Sequence, residues 1–128
     1  MRLLLDTHVL VWWLADSPKL SRRVREAVSA RANAVFVSAA SAWEISTKVR
    51  IGKWPEAVGL AGLFLGVIEA NGFEPLAITV RHAAHAGALA VEHPDPFDRM
   101  LAAQAELDDM AIVTLDPAFA RFNVSVIW

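Results

Sequence analysis

Apolar residues along this chain fall into short runs separated by polar and turn-forming positions, and the runs alternate between two periods. Arg2 to Leu5 is a brief apolar stretch closed by Asp6, the pattern of a fully buried parallel strand whose carboxyl end hands over to a helix beginning near Thr7. Ser17-Pro18 ends that helix. A second helix, about Leu20 to Ala32, turns Leu20, Val24, Ala27 and Val28 inward, and Ala34 to Val37 reads as another buried strand. The segment SAASAWEISTKVRIGK, Ser38 to Lys53, opens on capping serines and repeats Ala42, Ile45 and Val49 at helical spacing until Gly52 and Pro55 stop it. Glu56 to Ala70 is expected as one helix closed by Asn71-Gly72, with Gly59, Gly62 and Gly66 forming a flat face suited to close helix packing, internal or in a dimer.

The second half continues the alternation. Phe73 to Ile78 predicts a short strand, Thr79 to Leu89 a helix, Pro96 to about Asp108 another helix, Met110 to Leu115 a strand, and Val124 to Ile127 a last strand after a helical turn. Strand and helix alternate throughout, which predicts a three-layer α/β/α sandwich around a central, mainly parallel sheet. The chain has 128 residues, the size of one domain, and no linker divides it, so residues 1–128 are expected to fold as a single unit.

Composition narrows the chemistry. A hydrophobic fraction of 55% raises the question of a membrane, but a spanning helix needs ~20 uninterrupted apolar residues and the longest run, Ala57 to Ile68, is bounded by Glu56 and Glu69. Arg2 and the three leucines after it are followed by Asp6 and by no small-residue cleavage site, so a cytoplasmic location is expected. The absence of cysteine excludes disulfides, thiolate metal sites and cysteine nucleophiles. Net charge is −2, which gives no overall attraction to nucleic acid. Two basic clusters, Arg22, Arg23, Arg25 and Arg31, then Lys48, Arg50 and Lys53, suit either a solvated helix face or a phosphate-tracking stripe.

Four acids stand where elements end, begin or turn: Asp6, Glu44, Asp98 and Asp116. Each has a structural reading. Asp6 can cap the first helix, Asp116 before Pro117 a helical turn, and Asp95 with Asp98 the helix they open, while Glu44 can pair with Lys48 four residues on. Jointly they have another. Ligands in open α/β sheets bind beyond the carboxyl ends of the strands, and two carboxylates ~4 Å apart repel by roughly 4 kcal/mol at an effective dielectric of ~20. A cluster there calls for a cation, and all-oxygen ligands suit Mg²⁺ or Mn²⁺ and metal-assisted phosphodiester hydrolysis. Thr7 and Thr114 are placed to hydrogen-bond those carboxylates. Arg99 reads either as a hold on a phosphate oxygen or as a solvated helix residue. The histidines read as structural or exposed, Trp12 and Trp13 as packing residues, and Trp43 and Trp54 as core or as base-stacking residues.

The segments LLLDTHVLVWWL (Leu3 to Leu14), WEIS (Trp43 to Ser46), HPDPFDRMLAAQA (His93 to Ala105) and VTLDPAF (Val113 to Phe119) resemble, in order and over nearly the whole chain, PIN-domain proteins of the VapC toxin type. The resemblance implies an α/β/α sandwich and Mg²⁺- or Mn²⁺-dependent endoribonuclease activity. It also implies a homodimer and a cognate antitoxin that reaches toward the acids, where an arginine can neutralise them. Carried over by position, the family's four acids match Asp6, Glu44, Asp98 and Asp116, with Asp95 left as a cap. His8 departs from the small polar residue that many relatives carry near the first aspartate. Receiver domains and haloacid-dehalogenase-like phosphatases are disfavoured, the first by the want of an acidic pair after the first strand, the second because His8 replaces its second aspartate. The remaining alternative is a non-catalytic interaction module whose acids are helix caps.

Overall fold

The computed structural model describes residues 1–128. Five parallel strands form one sheet in the order β3-β2-β1-β4-β5: β1 (Arg2–Leu5), β2 (Ala34–Ser38), β3 (Glu74–Leu76), β4 (Ala111–Val113) and β5 (Val126–Ile127). Helices α1 (Thr7–Leu14), α2 (Arg22–Ser29), α3 (Ala39–Arg50), α4 (Phe64–Ala70), α5 (Val80–Ala88) and α6 (Pro96–Asp108) cover it. In the central strand the side-chain alternation sorts the core in two. Leu3 and Leu5 join Val35, Val37, Ala111 and Val113 with Val9, Leu10 and Val24 of α1 and α2. Leu4 joins Ile112 with Leu101, Ala102 and Ala105 of α6. Hence β1 is apolar at every position from Leu3 to Leu5, each of which is fully buried.

The register places Leu3 beside Val35 and Ala111, and Leu5 beside Val113. The chain leaves β1 toward β2 on one side and leaves β4 toward β5 on the other. Loops at the carboxyl ends of β1 and β4 therefore diverge and open a crevice between them.

Four expectations need correction. The helix foreseen over Glu56 to Ala70 is broken: a 3₁₀ turn spans Pro55–Ala57, Gly62 takes a left-handed φ of +85°, and only Phe64–Ala70 is α-helical. The glycines consequently admit no close packing, since apart from adjoining residues and the local helix backbone no atom lies within 4 Å of where a Cβ on Gly59, Gly62 or Gly66 would stand. The second helix starts at Arg22, because the Ser21 side chain accepts the Val24 N–H and fixes the cap there. The strands foreseen from Phe73, Met110 and Val124 are shorter at both ends or at their start, pairing only over the two or three residues that face a neighbour. The glycine cap at the end of α4 is present, with Gly72 at φ +71°.

Candidate active site

Asp6, Glu44, Asp98 and Asp116 line a single cleft of about 400 Å³ at the carboxyl edge of the sheet, together with Asp95, Lys48, His8 and Trp12. Five carboxylates thus face one lysine and one histidine. Each acid arrives from a different element. Asp6 follows β1 at the head of α1, Glu44 lies midway along α3, Asp98 is in the first turn of α6, and Asp116 precedes the 3₁₀ turn Pro117–Arg121 after β4.

The capping readings divide between them. Asp6 occupies the N-cap position of α1 yet makes no side-chain cap hydrogen bond. At α6 the cap is Asp95, which accepts from the Phe97 and Asp98 N–H groups, so Asp98 is free of that duty. Asp116 does cap its turn, accepting from the Ala118 N–H at 2.9 Å through Oδ1. Lys48 Nζ donates to Glu44 Oε2, as the spacing predicted, but Glu44 is only 3% exposed, so a half-buried lysine here meets a buried carboxylate and the pair is not a surface helix contact.

One oxygen of each acid is tied by the protein. Thr114 Oγ1 donates to Asp6 Oδ2 at 2.7 Å and itself accepts the Asp116 N–H at 3.0 Å, joining two of the acids through one hydroxyl. His93 Nε2 contacts Asp98 Oδ2 at 2.8 Å, and the imidazole is held edge-on to Phe122. The second oxygens of Glu44, Asp98 and Asp116 make no hydrogen bond to the protein, and that of Asp6 has only the Thr7 backbone N–H to soften it. None of these free oxygens is sealed from solvent.

Electrostatics record the crowding. Burial pushes the Asp6 carboxyl above its ordinary value, opposed by the Thr114 hydroxyl, the His8 charge and the Thr7 N–H and reinforced by Glu44. Asp98 is pushed up to about 6, first by burial and then by the charges of Asp95, Asp6 and Glu44, with the His93 hydrogen bond acting against them. Asp98 therefore senses both Asp6 and Glu44 across the cleft.

The donor set fits a hard divalent cation: oxygen atoms alone, anionic, each with one free lone-pair edge toward the cleft. No three Asp, Glu or His groups stand close enough together to hold one ion between them directly. Mg²⁺ does not need three, since it keeps several waters and takes one or two carboxylates directly, and the cleft has room for a hydrated ion.

Two sequence-level roles are not met. Thr7 turns its hydroxyl inward to Ser41 Oγ at 2.9 Å, because the first turn of α1 packs on α3, so its side chain bonds no carboxylate. Arg99 is committed elsewhere: its guanidinium donates to the carbonyls of Ala86, Leu89, Val91 and His93 and pins the segment between α5 and α6. His82 and His85 tie α5 to Asp108 and Glu106 of α6, the structural role expected of them. His93 is the site residue that sequence reasoning passed over. The signal for it was its place five residues before Asp98, across the Pro94 and Pro96 bends. Trp43 is exposed and packs on Phe97, while Trp54 is buried.

The family described as PIN domain matches residues 3–124 of the chain. No curated protein sequence matches it. Among solved structures, VapBC2 from Rickettsia felis bound to a DNA fragment from its promoter is similar at a TM-score of 0.74 and 19% identity, over 100% of this chain and 99% of that one. FitAcB from Neisseria gonorrhoeae is similar at a TM-score of 0.65 and 21% identity, over 98% and 96%. A FitAB structure bound to an IR36 DNA fragment follows at 0.55 and 20%, over 98% and 93%.

Proposed function

Since the chain belongs to the PIN-domain family, we propose that residues 1–128 form one nuclease domain, a Mg²⁺- or Mn²⁺-dependent endoribonuclease acting as the toxin of a type II toxin–antitoxin pair. The observation that carries this reading is the gathering of Asp6, Glu44, Asp98 and Asp116 around one cleft, each with a free oxygen. A cap-only role does not account for Asp6, which caps nothing, or for Asp98, whose cap is Asp95.

A divalent cation bound there would polarise the scissile phosphate and lower the pKa of the attacking water. The chain's own residues prepare the place. Asp6, Asp98, Glu44 and Asp116 would hold the ion, one or two of them directly and the others through its waters, and Thr114, His93 and Lys48 fix the orientation of three of those carboxylates through their other oxygen. Lys48 also offsets part of the negative potential that an incoming phosphodiester meets. Arg99 has no part in holding phosphate.

The partner in this reading is a cognate antitoxin whose cationic side chain can enter the cleft in place of substrate, and the active form is a homodimer in the cytoplasm. No helix of the chain is long and apolar enough to cross a membrane. Incubating the protein with structured RNAs in Mg²⁺ or Mn²⁺ tests the activity, with Asp98→Ala as control. Cleavage that requires the metal and disappears in the variant is expected. Intact RNA with the parent protein, or equal cleavage by both, would overturn the reading.

A further inference from the structure

A second, larger hollow of about 960 Å³ adjoins the acid cleft, and the two share His8, Trp12 and Lys48. Eight of its fifteen lining residues are apolar, and its charged residues are mostly of the opposite sign. Lys19, Lys48 and Lys53 line it against the single acid Glu56, and its aromatic floor comes from Trp12 and Trp54. His8 is exposed and is held between the two indoles, with ring centroids 4.6 Å from Trp54 at an interplanar angle of 34° and 5.9 Å from Trp12. Lys19 Nζ stands 5.4 Å from the Trp12 ring and Lys48 Nζ 5.5 Å from the Trp54 ring.

Nothing in the acid cleft requires this arrangement. Lys48 has Glu44 as its carboxylate partner, whereas Lys19 and Lys53 are paired with none. Flat rings with cations above them, beside a site that cuts phosphodiesters, match a strand of alternating bases and phosphates: every base has a π-face to stack, and every phosphate a charge to pair. We propose that His8 and Trp12, with Lys19 and Lys53, form a subsite for single-stranded RNA that stacks a base next to the phosphodiester being cut and pairs the phosphates leading away from it. Lys48, common to both hollows, marks where the strand passes from one to the other. The inference rests on the nuclease reading and names its substrate class: unpaired nucleotides, read through stacking and therefore with little base preference. His8, which ligates nothing in the acid cleft, thereby acquires a role as a substrate-positioning residue.

The test is binding of a 5′-labelled single-stranded oligoribonucleotide in EDTA, where no hydrolysis occurs, followed by anisotropy and by quenching of tryptophan fluorescence. His8→Ala and Trp12→Ala are expected to raise Kd about 5- to 150-fold, the range that ~1–3 kcal/mol of base–aromatic stacking gives. Because Trp12 packs edge-on against Trp128 and its loss can disturb the fold, the exposed His8 carries the decision. Lys19→Ala and Lys53→Ala should each reduce the slope of log Kd against log salt by ~0.7. An abasic oligomer of equal length should keep the salt dependence and lose the quenching. If His8→Ala and Lys19→Ala bind RNA like the parent, the inference is overturned and the hollow belongs to a protein partner. Metal-dependent cleavage by the parent is scored separately. Cleavage with unchanged binding in the variants sinks the subsite alone, and variant-sensitive binding without any cleavage sinks the nuclease reading alone.

Discussion

Replacing Asp98 with asparagine removes one charge from the cleft while keeping an acceptor oxygen for His93, so it removes the cost of a carboxylate that is both buried and crowded by other acids. The Asp98 carboxyl sits at about 6 against an ordinary 3.8, burial being the main cause and the charges of Asp95, Asp6 and Glu44 the rest. A carboxyl whose folded pKa lies above its unfolded one holds its proton more tightly in the fold. The stability it contributes is therefore complete below about pH 4 and is lost as pH rises through about 6. The interval from 3.8 to about 6, at ~1.4 kcal/mol per pKa unit, amounts to ~3 kcal/mol opposing the fold at pH 7.5. Asparagine carries no such penalty. In EDTA, Asp98→Asn is expected to be more stable than the parent by about 3 kcal/mol at pH 7.5, on the order of 10 °C in Tm for a domain of this size, with the gap closing toward pH 4. Millimolar Mg²⁺ or Mn²⁺ should narrow it by stabilising the parent more than the variant. Urea unfolding from pH 4 to 8 at constant ionic strength measures both effects. A gap that is absent, or that does not change with pH, would refute the account of Asp98 as a charge crowded by its neighbours.

Thr114→Val keeps the shape of the side chain but removes the hydroxyl that donates to Asp6 and accepts from the Asp116 N–H. We expect a loss of about 1–3 kcal/mol in urea unfolding, and an unchanged midpoint would show that the hydroxyl organises nothing. Arg99→Lys replaces a planar fork spanning four carbonyls with a point charge, and should destabilise by about 2–4 kcal/mol while RNA affinity below the transition stays at the parent value. A variant of parental stability that no longer binds RNA would return Arg99 to the substrate.

What could be read from the sequence followed the strength of the local signal. Asp95-Pro96 is a cap with proline at the first helical position, and α6 begins where that pair places it. Leu3 to Leu5, apolar on both faces, identified the central strand, since only a strand covered by helices on both sides needs no alternation. The stretch from Glu56 to Ala70 misled because an apolar run without polar interruption carries no period. Leu63 and Leu65 are left well exposed in it, and Gly62 takes the left-handed turn that divides it. For the site, Asp6 and Asp116 are marked by their place after a strand and Asp98 by the first turn of its helix, because the sheet's carboxyl edge collects whatever follows its strands, while Glu44, midway along α3, stands at no boundary and is singled out by the family resemblance. The partners of those acids were only half legible. Lys48 follows Glu44 by one helical turn, a local relation, whereas Thr114 reaches Asp6 across 108 positions and only the pairing of β1 with β4 brings them together. The bonds of Arg99 depend in the same way on the path of a loop with no periodic pattern.

The two hollows show how one short helix serves opposite charges. Residues Asp6 and His8, two apart at the head of α1, send one side chain toward the sheet edge and the other toward the lysines, so the anionic centre and the cationic groove meet at a boundary two residues wide. Lys48 sits on that boundary from the α3 side, bonded to Glu44 and facing the Trp54 ring. A cleft with five carboxylates would by itself repel a polyanion, and a groove of lysines alone would hold it without cutting. Joined along α1, the second offsets part of the repulsion of the first, so that a strand drawn to the lysines carries its next phosphate to the acids. On this argument the acids are left crowded because relieving them inside the fold, with more arginine or lysine, would fill the space that the cation and the phosphate require.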